Sequence, residues 1–271
     1  MSTAGEFETL DTVVAPYAPD ASNAPVLPAT QRHARPGARH AELVEQAVAV
    51  LRQAAAEHAG ALVQASSLGV EDMVLSDLIH RHGLGIPVAT LDTGALHPET
   101  LELIERLRRH YGIEVQVWRP RQEAVVEFVA RNGDDAMYRS VELRKACCAV
   151  RKLEPLGRML EGRSAWVTGL RREQSAQRDG VRERETGADG RVKFSPLAQW
   201  SLGDVWHYVA EHGVPYNPLH DSFYPSIGCA PCTRAVAVGE DQRAGRWWWE
   251  LDGAKECGLH SEQGHAVGAR P

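Results

Sequence analysis

From residue 41 onward the apolar side chains recur at two alternating spacings. In 41–57 they fall at Leu43, Val44, Ala47, Val48 and Leu51, with Gly60 just beyond. That period puts one apolar stripe on an amphipathic helix. Residues 61–66 are instead a short, nearly continuous apolar run, predicted to be a buried strand, and 70–82 return to the helical period. The alternation continues with a strand over 86–91, a helix opening at Pro98 and Glu99, a strand over 113–118 and a helix over 122–131. Proline at the first helical position and an acid in the first turn both suit a helix N-terminus. A helix is also expected over 144–152, with Pro155 soon after it, and a strand over 164–168. Two short extended runs flank Asp189-Gly190 as a hairpin turn. A last helix, 201–212, has Ser201 as its N-cap and Gly213 past its end.

Short strands separated by helices of about ten to fifteen residues imply βαβ units. The predicted fold class is therefore α/β, a mostly parallel sheet flanked by helices. Ligands of such sheets bind in the loops at the carboxyl ends of the strands. Three parts are expected. Residues 1–38, rich in Ala, Pro and Thr and without periodicity, form a disordered or loosely draped N-terminal segment. Residues 39–220 form the nucleotide-binding α/β domain, and 221–271 an irregular tail rich in Gly, Cys, Trp and Arg.

The formal charge of −6 and pI near 6.1 argue against a nucleic-acid partner held by bulk charge. No apolar run approaches the ~20 residues needed to cross a bilayer, so no membrane partner is expected. The N-terminus lacks the basic and apolar regions of a signal peptide. Together with five cysteines that show no secretory pairing, this points to a reducing cytoplasm.

Those cysteines fall into three groups: Cys147-Cys148, Cys229-x-x-Cys232, and Cys257 alone. Four thiols in two tight pairs suit a metal centre. A structural zinc is one reading. Against it, adjacent residues on a helix point about 100° apart and converge poorly on one ion. An iron–sulfur cluster offers separate irons to neighbouring cysteines and fits the vicinal pair better. On a helix, Arg144 and Lys152 would lie four residues either side of Cys148, and Arg151 four after Cys147. Cations so placed would ease the burial of a negative cluster, although a solvated basic face reads the same way.

Three strand-end loops are candidates for ligand binding. The first, 66–72, carries Ser66, Ser67, Gly69 and Asp72, and its small residues admit an anion to a helix start. It looks like a degenerate S-G-G-x-D-S pyrophosphate loop of ATP pyrophosphatases, with Leu68 in place of one glycine, and a plain strand-to-helix connection explains it equally well. The second carries Leu91, Thr93 and Gly94; the third carries Gly169, Arg171 and Arg172, with Arg178 close behind. Forked guanidinium donors match the paired oxygens of phosphate or sulfate. Arg243 and Arg246 could close the site from the far end, while Trp247, Trp248 and Trp249 are expected to pack against the domain. Cys257 is a candidate nucleophile, with Lys255 and His260 as local groups to lower its pKa.

The combination Cys147-Cys148-x-x-Arg151-Lys152, Cys229-x-x-Cys232-Thr233 and Glu256-Cys257-Gly258-Leu259-His260 resembles the assimilatory adenylyl-sulfate (APS) reductases of bacteria, relatives of PAPS reductase. Stretches 67–72, 91–94, 169–175 and 243–249 look like that family too, and the likeness covers roughly 40–262. It implies an adenine nucleotide alpha-hydrolase-like (ATP pyrophosphatase-like) fold and one [4Fe–4S] cluster per subunit on Cys147, Cys148, Cys229 and Cys232. It implies further that Cys257 attacks the sulfur of APS, with Lys152 and His260 as catalytic residues, expelling AMP and leaving an S-sulfocysteine. Thioredoxin or a similar dithiol would then release sulfite for cysteine biosynthesis, in a homo-oligomer. Both cysteine pairs are present, which favours APS over PAPS; a PAPS or dual APS/PAPS reductase is the alternative. An ATP pyrophosphatase-type ligase shares the fold but has no use for a terminal cysteine, and a redox sensor has none for the arginine loop.

Overall fold

Each apolar stripe in the sequence finds its element in the computed structural model, which describes residues 26–250. The order is α1 (Ala29–His33), α2 (His40–Glu57), β1 (Leu62–Ser66), α3 (Val70–Arg81), β2 (Val88–Leu91), α4 (Pro98–Tyr111), β3 (Val115–Trp118), α5 (Gln122–Asn132), α6 (Ala136–Arg139), α7 (Val141–Cys148), α8 (Glu154–Met159), β4 (Ala165–Val167), β5 (Arg184–Thr186), β6 (Val192–Phe194) and α9 (Leu202–His212). The strands form one sheet in the order β3-β2-β1-β4-β6-β5, parallel except for β5, which pairs antiparallel with β6 across the Asp189-Gly190 turn. Ser66 pairs with Thr90 and Gln64 with Val167, so β1 lies between β2 and β4.

From β1 the chain progresses to β2 and β3 on one side and then returns to β4 on the other. Loops leaving β1 and β4 therefore diverge, and a crevice opens at this switch point. The sheet is buried on both faces. On one, α2, α3 and α9 pack Leu43, Leu51, Met73, Leu75, Val205 and Tyr208 into the main core. On the other, Val63, Ala89 and Trp166 meet Leu156, Met159 and Leu160 of α8 and its end. Buried Asp77 ties three helices together, accepting hydrogen bonds from Tyr111 Oη at 2.8 Å and Tyr208 Oη at 2.7 Å. α9 opens with a reciprocal cap, as expected: Asp204 N donates to Ser201 Oγ, and Ser201 N to the Asp204 carboxylate, both at 3.0 Å. Among the described residues no helix is long and apolar enough to cross a membrane.

Two expectations need correction. Residues 1–38 were expected to be disordered or loosely draped, yet in the described part, 26–38, α1 packs on α9 with Ala29 buried, and Ala29 N donates to Asp221 Oδ1 at 2.7 Å. A single helical turn is too short to show a period. The helix expected over 144–152 is also not one α-helix. α7 ends at Cys148, residues Ala149–Leu153 form a π turn, and α8 begins with Pro155 in its first turn. Proline has no N–H to return and its ring crowds the carbonyl four residues back, so the register must change upstream of it.

Candidate active site

A cavity of about 210 Å³ opens at the carboxyl ends of β1, β2 and β4. It gathers Ser66, Ser67, Gly69 and Asp72 from the first loop, Leu91 and Thr93 from the second, and Gly169, Arg171 and Arg178 from the third. Lys152, Arg243 and Arg246 line it as well. Gly94 and Arg172 are not on its wall. Arg172 turns away to donate from Nε to Val181 O at 2.8 Å, and Gly94, at φ 69°, packs beside Arg151. The floor, from Ala65, Ala89, Leu156, Met159 and Trp166, is apolar and suited to a flat base.

Asp72 binds two of the loops together. One carboxylate oxygen accepts from Ser67 N and Ser67 Oγ, both at 2.6 Å; the other accepts from Gly169 N at 2.8 Å. Burial pushes its pKa up to about 6, against the pull of those donors. A Cβ on Gly169 would stand 2.7 Å from the Asp72 carboxylate, so only glycine allows the approach. Leu68 adopts a left-handed conformation at φ 60°, with its side chain buried in the main core. Beside Asp72, burial alone would raise the pKa of Glu71, but the charge of Arg171 together with hydrogen bonds from Gln174, Arg171 and the backbone holds the carboxyl below its usual range. Arg171 is itself buried between Glu71 and Glu173 at 2.9 and 3.1 Å. These two carboxylates balance its charge within the protein and fix the shape of the loop.

The segment 220–228 supplies wall residues that sequence reasoning missed: His220, Pro225, Ser226, Ile227 and Gly228. It has no periodicity to mark it. Burial lowers the pKa of His220 to about 4, leaving a neutral imidazole on the wall. A Cβ on Gly228 would lie 2.3 Å from Arg246 Nη2, so glycine there leaves room for that guanidinium. The Arg246 guanidinium also stacks 4.7 Å from the Trp247 ring centroid.

A second cavity, about 180 Å³, lies against the first and contains Cys147, Cys148, Cys229 and Cys232. All four are buried free thiols. The first two come from the end of α7. The others sit on a loop fixed to the second strand-end loop, through an isolated bridge between Leu96 and Cys229 and an Ala230 N to Ala95 O bond of 2.7 Å. Thr93 Oγ1 lies 3.2 Å from Cys229 Sγ, and Arg151 Nη1 donates to Thr93 O at 2.9 Å. Burial raises the Cys147 pKa and takes Cys232 up to about 11, while Lys152 pulls both down. Arg144, expected among the cations beside the cysteines, lines this cavity. It forms a buried two-pronged pair with Glu250, both distances 2.8 Å, under the Trp247 ring. Of the three tryptophans expected to pack against the domain, Trp247 is buried and Trp249 half-buried, whereas Trp248 is exposed. Lys152 and Trp247 line both cavities and form their common wall.

The phosphoadenosine phosphosulfate reductase domain matches residues 61–235. The chain belongs to that family. Among its curated members, the adenosine 5'-phosphosulfate reductase of Allochromatium vinosum is 57% identical over 74% of this chain and 79% of the relative. That of Burkholderia cepacia is 52% identical, over 80% of this chain and 87% of the relative. The solved phosphoadenylyl-sulfate reductase of Candida auris superposes with a TM-score of 0.60 at 27% identity, covering 73% of this chain and 94% of that one. An FMN adenylyltransferase from Candida glabrata, at TM-score 0.51 and 12% identity over 84% of this chain and 81% of that one, shares the fold alone. The solved relative thus shares the expected fold class, a mostly parallel sheet flanked by helices. Lys255, Cys257 and His260 lie outside the described residues.

Proposed function

We propose that this chain reduces adenosine 5'-phosphosulfate to sulfite and AMP in sulfate assimilation, using thioredoxin or a similar dithiol. The carrying observation is the pair of abutting cavities. One has an apolar floor and a cationic rim, the other holds four buried thiols, and Lys152 stands between them. Relatives 48–57% identical that carry the name adenosine 5'-phosphosulfate reductase support the choice of substrate.

The donor set suits a polynuclear centre. A tetrahedral zinc with bonds of about 2.3 Å brings its sulfurs to about 3.8 Å of one another. Among the described residues no three cysteine sulfurs come within 4.8 Å of one another, a spread that a single zinc would not take. Cys147, Cys148, Cys229 and Cys232 would hold a [4Fe–4S] cluster, which when bound supplies charge and anchors the C-terminal segment to α7.

In this reading the apolar floor takes the adenine, and Lys152, Arg178, Arg243 and Arg246 face the phosphate and sulfate. The thiolate of Cys257, with His260 beside it in sequence, attacks the sulfate sulfur. The sulfur–oxygen bond breaks, AMP departs with the electron pair, and an S-sulfocysteine remains. A thiolate of the dithiol attacks Cys257 Sγ and releases sulfite, and its second thiol closes a disulfide and frees Cys257. Two electrons pass from the dithiol to sulfur. Cations fixed on the rim stabilise the charge that moves onto AMP and then onto sulfite. A cytoplasmic, homo-oligomeric enzyme fits this chemistry.

Cys257→Ser is expected to abolish sulfite release from APS with thioredoxin while iron per chain stays unchanged; turnover by the variant would remove Cys257 from its role. Because a solved relative is a PAPS reductase, sulfite release from APS and PAPS at matched concentration decides between the nucleotides. A preference for PAPS would overturn the assignment.

A further inference from the structure

We propose that His40, His207 and Glu211 form a second metal site, for one divalent ion of the zinc class, outside both cavities. His207 and Glu211 are four residues apart on α9 and share a face, with His207 Nε2 3.7 Å from Glu211 Oε2. His40, the first residue of α2, comes from the opposite side, its ring centroid 4.8 Å from that of His207 at 82°. The three ligand atoms all lie within 4.8 Å of one another. Bonds of about 2.0–2.2 Å in a tetrahedron require about 3.4 Å between them, which small side-chain rotations reach.

The arrangement behind His40 is what distinguishes this cluster from a chance meeting of side chains. His40 Nδ1 is 3.0 Å from Asp204 Oδ1. Asp204 is fixed in turn by Ser201 and by Gly37 N at 2.9 Å. A carboxylate on Nδ1 places the proton there and leaves the lone pair on Nε2. That Nε2 is buried and has no hydrogen-bond partner. Metal-binding histidines are oriented in the same way, by a carboxylate on the far ring nitrogen. Glu211, 53% exposed, leaves a solvent side where water completes the coordination. Three protein ligands and one water is a normal zinc arrangement. The ion would staple the start of α2 to α9, pinned on the same Asp204 that caps α9.

The test uses full-length, tag-free protein, purified anaerobically with its native iron and titrated with zinc alone by calorimetry. Metal content is read by mass spectrometry. One zinc per chain is expected at constant iron, together with a higher melting temperature. His207→Ala, at a half-buried position, and Glu211→Gln, at an exposed one, should each weaken binding by at least about tenfold and remove the melting shift. His212→Ala, next to Glu211, should leave binding unchanged. Undiminished zinc binding in His207→Ala, loss confined to His212→Ala, zinc uptake matched by iron loss, or no binding at all would each overturn the site.

Discussion

Replacing Arg144 with Met should unfold the protein more readily than its distance from the nucleotide cavity suggests. The side chains of Arg144 and Glu250 are 0% and 3% exposed, and two 2.8 Å hydrogen bonds join them. Removing the guanidinium strands a carboxylate away from water, which costs about 3–5 kcal/mol. Arg144 Cζ also lies 4.5 Å from the Trp247 ring centroid, and giving up that cation–π attraction adds about 1 kcal/mol. Glu250→Gln keeps the shape and part of the bonding, so its cost is smaller, about 1–3 kcal/mol. Removing both charges, in Arg144→Met with Glu250→Leu, leaves no stranded carboxylate and should be more stable than Arg144→Met alone. Urea unfolding followed by circular dichroism on iron-loaded protein measures the parent and all three variants. Arg144 precedes Cys147 by one turn of α7, so iron per chain should fall in Arg144→Met and recover in the double variant. The reasoning fails if the single variant costs under about 1 kcal/mol, or if the two substitutions simply add.

Gly228→Ala should drive Arg246 out of the nucleotide cavity, because the new methyl would stand 2.3 Å from Nη2. Without that one charge-assisted hydrogen bond to phosphate or sulfate, nucleotide should bind roughly tenfold to hundredfold more weakly, measurable by calorimetry with AMP; unchanged affinity would take Arg246 off the ligand. Asp72 sets a pH dependence. Its folded pKa of about 6 lies above its ordinary 3.8, so the folded state binds the extra proton between those values. Stability should therefore fall as pH rises from about 4 to about 6, by up to about 3 kcal/mol, and stay level above. Asp72→Asn should flatten urea midpoints across that window, and an unaltered slope would assign the titration to another group.

The sheet and its crevice were readable because their signals are local and periodic. Ser201 and Gly213 bracket α9 where a cap and a left-handed glycine are expected, with Gly213 at φ 64°. The arginine loop shows the limit of such reading. Arg171 and Arg172 are equivalent in sequence, yet neighbouring side chains leave the backbone in different directions. One is enclosed between Glu71 and Glu173, and the other reaches outward to Val181. Glu71, 100 residues from Arg171, is a partner that no local pattern could announce. The same holds for Arg144, whose carboxylate is 106 residues away. His40 and His207 are illegible as a pair for the same reason, since α2 and α9 meet only in the folded molecule.

The π turn between Cys148 and Pro155 makes chain length, rather than residue identity, the sensitive variable in this region. Its wider winding decides the azimuth at which Arg151 and Lys152 leave the backbone, one toward the thiols and the other onto the partition. Ala149 and Val150 could be exchanged for other small or apolar residues with little consequence. Excising either would tighten the coil to an ordinary α register and rotate everything downstream past its counterpart on the loop of Cys229. Homologous sequences that preserve both the twin thiols and the lysine should therefore hold the count of residues separating them fixed, however freely the letters in between drift.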